Sequence, residues 1–217
     1  MTIFDLDTVD ELLTTTRAVR KRLDLERPVS RETIETCLRL AIQAPTGSNR
    51  QGWRWLVITD ANKRSKLADI YRRGADSYLD SAHNAALAAG DAQNARVYDS
   101  ARYLANVLQD VPVHVIPCIE NHVGEANAGV AWSGIYGSIY PAVWSFQLAL
   151  RSRGLGSCIT TLHLRHHEET ATLLGIPEGF MQVALLPVAY TVGNQFKPAA
   201  RNSLESIAYF DTWEQGR

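Results

Sequence analysis

Residues 30–59 read SRETIETCLRLAIQAPTGSNRQGWRWLVIT, and the order of elements inside them decides the fold class. Ser30 is an N-cap residue, with Glu32 in the first helical turn that follows. Ile34, Cys37, Leu38, Ala41 and Ile42 recur at the spacing of a helix with one buried face. Pro45 and Gly47 stop that helix. A polar turn follows, and Trp53 to Thr59 reads as a strand. Helix, polar loop and strand in direct succession predict a layered domain in which helices cover a sheet.

Working outward, a short helix is expected after Thr8, running to the basic knot at Arg17–Arg22. Downstream, 61–78 reads as a helix and 80–109 as a second, Ala-rich helical stretch. Residues 111–119 form a second strand, and 120–134, with their glycines and asparagines, read as a long loop of the lid or binding type. An apolar helix then spans 137–153 and Gly154 ends it. Residues 157–162 form a short strand, 166–174 a helix and 181–190 a further buried strand. The tail from Gly193 carries Ser-Ile-Ala-Tyr-Phe at 206–210, a segment of strand character. No linker or internal repeat divides the chain, so a single domain over 1–217 is expected.

Composition removes several function classes. Hydrophobic residues make up 46% and charged residues 21%, the balance of a globular protein, and the net charge is −1. No global basic field draws the chain to nucleic acid or to an acidic membrane. No apolar run reaches membrane-spanning length. The N-terminus, MTIFDLDTVDEL, lacks the pattern of a signal peptide. Cys37, Cys118 and Cys158 are odd in number and scattered, which suits buried thiols in a reducing cytoplasm. The sequence contains no GxGxxG after a strand, no GxxxxGK[ST] and no GxSxG. His163, His166 and His167 lack metal-ligand spacing, and no metal site is expected.

Four segments carry positive chemistry. Thr16-Arg17-Ala18-Val19-Arg20-Lys21-Arg22 concentrates cations next to an extended segment, and arginine's planar fork suits phosphate oxygens. The loop from Ala44 to Trp53 packs hydroxyl and amide groups onto a Pro/Gly-shaped turn, which suits a heteroaromatic ring with polar edges. Gly154-Leu-Gly-Ser-Cys-Ile-Thr-Thr161 follows the apolar helix, and Gly156 allows backbone N–H groups to approach a ligand closely. Lys197 and Arg201 add late cations able to join the first cluster.

Taken together in this order, the segments resemble the nitroreductase family of FMN enzymes. The matching stretches are 17–53, 138–161 and 185–213. The family's Arg-Arg-Ser-x-Arg stands here as Thr16-Arg17-Ala18-Val19-Arg20. Its Pro-Ser-small-x-Asn-x-Gln-Pro-Trp loop stands as Pro45 to Trp53, with Gly52 where proline is usual. The Gly-Leu-Gly-Ser turn is intact at 154–157, and the closing pattern runs through Leu186, Arg201 and Trp213. Thr16 and Ala18 depart from the motif, so Arg17, Arg20 and Arg201 must carry the phosphate, with Lys21 or Lys197 compensating. Residues 61–134 match only in helical character.

The resemblance implies an α+β fold of three layers, α/β/α, with a mostly antiparallel sheet flanked by helices and a C-terminal extension wrapping a partner subunit. It implies a homodimer with FMN at the interface. NADPH or NADH would act as electron donor, and a small electron-poor molecule such as a nitroaromatic, quinone or enone as acceptor. The implied cofactor-binding residues are Arg17, Ala18, Arg20, Pro45, Thr46, Ser48, Asn49, Ile159, Thr160, Thr161 and Arg201. The backbone at 159–161 would face the ring, and 45–49 would come from the partner. Trp132 and Tyr140 are the candidate substrate contacts. No diagnostic acid–base residue is implied, because the flavin carries the chemistry. Three alternatives stay open: a flavin-storage protein without turnover, a flavin-fragmenting or dehalogenating branch of the family, and an interaction domain that binds no flavin.

Overall fold

A computed structural model describes residues 4–121 and 128–213. Six α-helices are described: α1 (Leu6–Thr15), α2 (Arg31–Ala41), α3 (Ala61–Ala88), α4 (Ala92–Val107), α5 (Ala128–Arg151) and α6 (His167–Leu174). The strands are β1 (Trp53–Ile58), β2 (Val113–Glu120), β3 (Leu155–Ser157), β4 (Phe180–Gln182) and β5 (Leu186–Tyr190). They form one sheet in the order β1-β2-β5-β3, with β4 also pairing β2, and every strand pair is antiparallel.

Strand β2 shows why three layers result. Its residues are buried on both faces, with Val113, Val115 and Ile119 entering one core and Ile116 and Cys118 the other. A strand side chain alternates faces with period two, so a strand buried from Val113 to Ile119 needs cover on both sides. Helices α2 and α5 cover the first face through Ile34, Cys37, Ile139 and Phe146. Helices α3 and α4 cover the second through Leu67, Tyr71, Leu104 and Ala105. The cysteines at 37, 118 and 158 are free and buried, as their scattering predicts. Ser30 caps α2 by accepting from the Thr33 N–H at 3.1 Å, the bond its sequence position implies.

Several boundaries differ from the sequence reading. The stretch 80–109 is not one helix: Gly90, at φ 68°, and the cap Asp91 separate α3 from α4. Residues 128–134 begin α5 rather than belonging to a loop; the rest of the expected lid, 122–127, lies outside the described residues. The strand expected at 157–162 ends at Ser157. In the tail, 204–206 form a short 3-10 turn and 206–210 contain no strand.

The strand expected over 181–190 is two, and Pro117 supplies the reason. Strand β2 pairs β5 through 113–115 and β4 through 118–120. Between them Pro117 has no N–H to give, although its carbonyl still accepts from Val183 N–H at 3.0 Å. The facing chain leaves the ladder there, and Leu185 instead exchanges reciprocal bonds with Thr160, at 3.0 and 2.8 Å.

Candidate functional site

Residues 17–19 run alongside β3. Val19 N–H donates to Ser157 O at 2.9 Å, and Ala18 bridges Ser157 in parallel. Gly156 makes this approach possible. A Cβ there would lie 2.8 Å from Thr191 Cγ2 and 2.9 Å from Val19 Cβ. The bare backbone therefore receives the chain's own cation-bearing segment, not a ligand as the sequence suggested. The consequence for the site is direct, because it fixes Arg17 and Arg20 beside the turn that leads to Ile159–Thr161.

Two adjoining concavities share Arg20. One, of about 250 Å³, is lined by residues 17–22 with Ser100 and Phe196. The other, of about 430 Å³, is lined by Arg20, Ile159, Thr160, Thr161 and Arg165, with Tyr71, Tyr78 and Tyr98 among its aromatic wall. Among the described residues, Lys21 pairs with Asp99 at 2.5 Å, whereas Arg17, Arg20 and Arg22 have no carboxylate partner. Arg17 donates to Lys197 O at 3.0 Å, Arg22 to Val192 O and Gln195 O, and Arg20 to Ser100 Oγ at 3.4 Å. Carbonyls and a hydroxyl orient these guanidinium groups without neutralising them. Such a concavity favours an anion with several acceptor oxygens.

The second concavity supplies donors of another kind. Among the described residues the N–H groups of Ile159 and Thr161 donate to nothing, and both residues are exposed to the cavity side. The Thr160 N–H is already given to Leu185 O. Of the three backbone donors at 159–161, the middle one is spent holding the turn, and the other two have no partner among the described residues. The Thr160 side chain instead meets Tyr71, whose Oη lies 2.8 Å from Oγ1. Burial pushes the Tyr71 phenol up to about 12, so it stays a neutral hydroxyl. Cys158, buried beneath the turn, is pushed up to about 11 by its burial and is an inert thiol at neutral pH.

The remaining candidates lie elsewhere in the chain. Arg201 is exposed, donates to Ala200 O at 3.0 Å and lines neither concavity. Lys197 reaches the cluster through its carbonyl rather than its ammonium group. Within the loop 45–49, Thr46, Gly47 and Ser48 border a third cavity, of about 420 Å³, together with Arg50, Glu120 and Ser138, while Pro45 and Asn49 do not line it. There Gly47 N–H donates to Ser138 Oγ at 3.0 Å, which anchors the loop on α5. Ser48, Asn49 and Gln51 hold positive φ of 53°, 51° and 50°. These left-handed positions, interrupted by right-handed Arg50, cost energy in non-glycine residues. Trp132 and Tyr140 sit on α5 at the first core. Trp132 stacks on Tyr136 at 5.7 Å, Tyr136 meets Tyr140, and Tyr140 donates to Val183 O at 3.0 Å. Neither lines the cavity that holds Arg20 and Thr160.

Sequence reasoning missed Tyr71, Ser100 and Arg165. Tyr71 and Ser100 lie on α3 and α4 and reach the site because these helices pack over the sheet, while Arg165 lies on the 162–166 turn past Gly-Leu-Gly-Ser.

The family model for the nitroreductase family matches residues 13–190. The chain belongs to the nitroreductase family. Among relatives, the protein named DrgA of Synechocystis sp. is 29% identical over 153 residues, covering 70% of each chain. Iodotyrosine deiodinase, solved with FMN and 3-iodo-L-tyrosine, superposes with a TM-score of 0.72 at 21% identity, covering 94% of this chain and 100% of that one. The FMN-dependent nitroreductase NfnB of Mycobacterium smegmatis, solved with NADPH, gives 0.69 at 19% identity, covering 96% and 100%. At these identities the superpositions show a nitroreductase-like fold. Helices on both faces of an antiparallel sheet are what the sequence resemblance implies. Among the described residues no helix is long and apolar enough to cross a membrane, and no cluster of ligating side chains suits a metal ion.

Proposed function

We propose that the protein is an FMN-dependent oxidoreductase. It accepts hydride from NADPH or NADH and delivers electrons to a small electron-poor acceptor such as a nitroaromatic, quinone or enone. The observation that carries this reading is the pair of adjoining concavities. Uncompensated Arg17, Arg20 and Arg22 border one, and the free N–H groups of Ile159 and Thr161 border the other. An FMN phosphate fits the first and the polar edge of its ring the second. When bound, FMN supplies reversible two-electron chemistry at its ring.

The chain's residues bind, orient and tune. Arg17 and Arg20 hold the phosphate. The backbone donors at 159 and 161 favour negative charge on the reduced ring, because they are fixed in place before reaction. Tyr78, Tyr98 and Leu79 line an apolar wall that excludes water and suits a planar acceptor. No side chain is required as an acid–base dyad.

A homodimer completes the site. The loop 45–49 borders its own cavity and is absent from the lining of the one that holds Arg20, so its place in this reading is across the interface, on the partner's flavin. The left-handed strain at 48, 49 and 51 supports a binding role for this loop. The tail after Gly193 leaves Leu204, Ile207, Phe210 and Trp213 more than half exposed, as an extension that docks on a second copy would. The cytoplasm, with its reduced thiols and nicotinamide donors, is the proposed compartment.

The test is the visible spectrum of the purified protein, followed by NADPH and NADH consumption with a quinone and a nitroarene. A yellow protein that turns over either donor is expected. A colourless protein that takes up no added FMN overturns the reading. A yellow one that consumes neither donor indicates storage.

A further inference from the structure

We infer that Tyr71 is a positioning residue that turns the Thr160 hydroxyl proton into the ligand cavity, making this side chain a hydrogen-bond donor between the two backbone donors. The inference rests on the flavin reading above.

Tyr71 lies on α3 and is 1% exposed. Among the described residues its hydroxyl has one polar partner, Thr160 Oγ1 at 2.8 Å. If Thr160 donated in that bond, the phenol O–H would be left buried with no acceptor, which is a costly arrangement. The satisfied arrangement has Tyr71 donating and Thr160 accepting. The threonine proton is then free, and Thr160 lines the cavity alongside Ile159 and Thr161.

The rest of the geometry reinforces this. The Thr160 backbone is held on both sides by Leu185, at 3.0 and 2.8 Å, so the residue does not swing. Its N–H, spent on that bond, is replaced at the cavity wall by its hydroxyl. Burial holds the phenol protonated through the physiological range, so the orientation does not switch with pH near neutrality. The acceptor served is an atom of the bound ligand that gains electron density on reduction.

The test compares the dissociation constants of oxidised and reduced FMN, measured anaerobically on the apoprotein and its variants. A donor aimed at developing charge favours the reduced form. Tyr71→Phe is expected to lower that preference about tenfold, the low end for a hydrogen bond to a charged acceptor. Thr160→Val is expected to do the same, Thr160→Ser to keep most of the preference, and the double variant Y71F/T160V to lose no more than T160V alone.

A purely packing role for Tyr71 would weaken both oxidation states alike and leave their ratio unchanged, which overturns the inference. So do losses that add in the double variant. Should Tyr71→Phe not fold, equal ratios in Thr160→Val and Thr160→Ser overturn it instead. A parent protein that binds neither form fails at the flavin reading itself, an outcome distinct from binding with an unchanged ratio.

Discussion

At the scale of single residues, Arg20 stands between the two concavities, and its contribution is separable from that of its neighbours. Lys21 spends its charge on Asp99, while Arg20, among the described residues, has no carboxylate partner and reaches Ser100 Oγ at 3.4 Å. Arg20→Ala is expected to weaken FMN binding by about 2 kcal/mol, the low end for truncating one partner of a hydrogen-bonded charge pair, because Arg20 is half-buried. Lys21→Ala should cost far less. Titration of the apoprotein with FMN checks both, and equal losses would show that the cluster acts as a diffuse field. His114 and His163 are both fully buried. Burial pushes each down to about 4. His114 Nε2 meets Leu108 O at 2.8 Å, and among the described residues neither ring nitrogen of His163 has a partner. Both are neutral when folded, and both take a proton on unfolding at any pH between about 4 and their ordinary value near 6.5. Stability is therefore full above that ordinary value. It falls with falling pH across the window by up to about 1.4 kcal/mol per unit for each histidine. Urea unfolding at pH 7, 6 and 5 should show this slope, and His163→Phe should reduce it by about half.

At the scale of elements, two glycines let backbones meet, Gly156 beside Val19 and Gly74 on α3. Gly74 sits in α3 where the helix passes over the 162–166 turn, and a Cβ there would collide with the Leu162 carbonyl oxygen. Gly74→Ala gains helix propensity, roughly 1 kcal/mol, but must push α3 off the turn that follows Thr161. The net expectation is a loss of about 1–3 kcal/mol, the usual cost of overpacking, together with weaker FMN binding because the Tyr71 bond to Thr160 depends on the same contact. Thermal unfolding with and without FMN reads both effects. A neutral or stabilising substitution would show that helix and turn move apart freely. Pro117 acts on the sheet in a comparable way. Its missing N–H coincides with the break between β4 and β5, and the break releases Leu185 to hold Thr160.

At the scale of the whole molecule, burial within one chain is incomplete. Phe210 and Trp213 are 73% and 77% exposed, and Tyr209 and Trp213 stack on each other at 4.7 Å. On α5, Trp144 is 40% exposed although its neighbours Val143 and Phe146 are fully buried. An apolar helix and an aromatic tail left open on one chain are the surfaces that the proposed homodimer would cover. If the proposed dimer holds the FMN, a chain ending at Gly193 is expected to lose both, since a ligand held by the assembled form stabilises that form by mass action. Light scattering combined with flavin absorbance checks it. A truncated monomer that keeps its flavin would place the whole cofactor site within one chain.

A layered domain of helices covering a sheet was legible in the sequence because it rests on periodicity, which is local, while the three-layer arrangement came with the family resemblance. The helix face at Ile34, Cys37 and Ala41 and the mostly apolar run of β2 each state what they must bury. The cation segment at 17–22 and the turn at 154–161 were legible for the same reason, as composition concentrated in short stretches. What only the tertiary structure decided is which groups face one another across long separations. Gly156 serves Val19, the Thr160 N–H serves Leu185, and Tyr71 on a helix that matches no motif meets Thr160. Strand 181–190 is broken by a proline more than sixty residues earlier. Sequence spacing carries no information on such pairings. They follow from how layers stack, and a donor has a single proton to give, so the partner it meets first in the folded chain settles whether it remains available to a ligand.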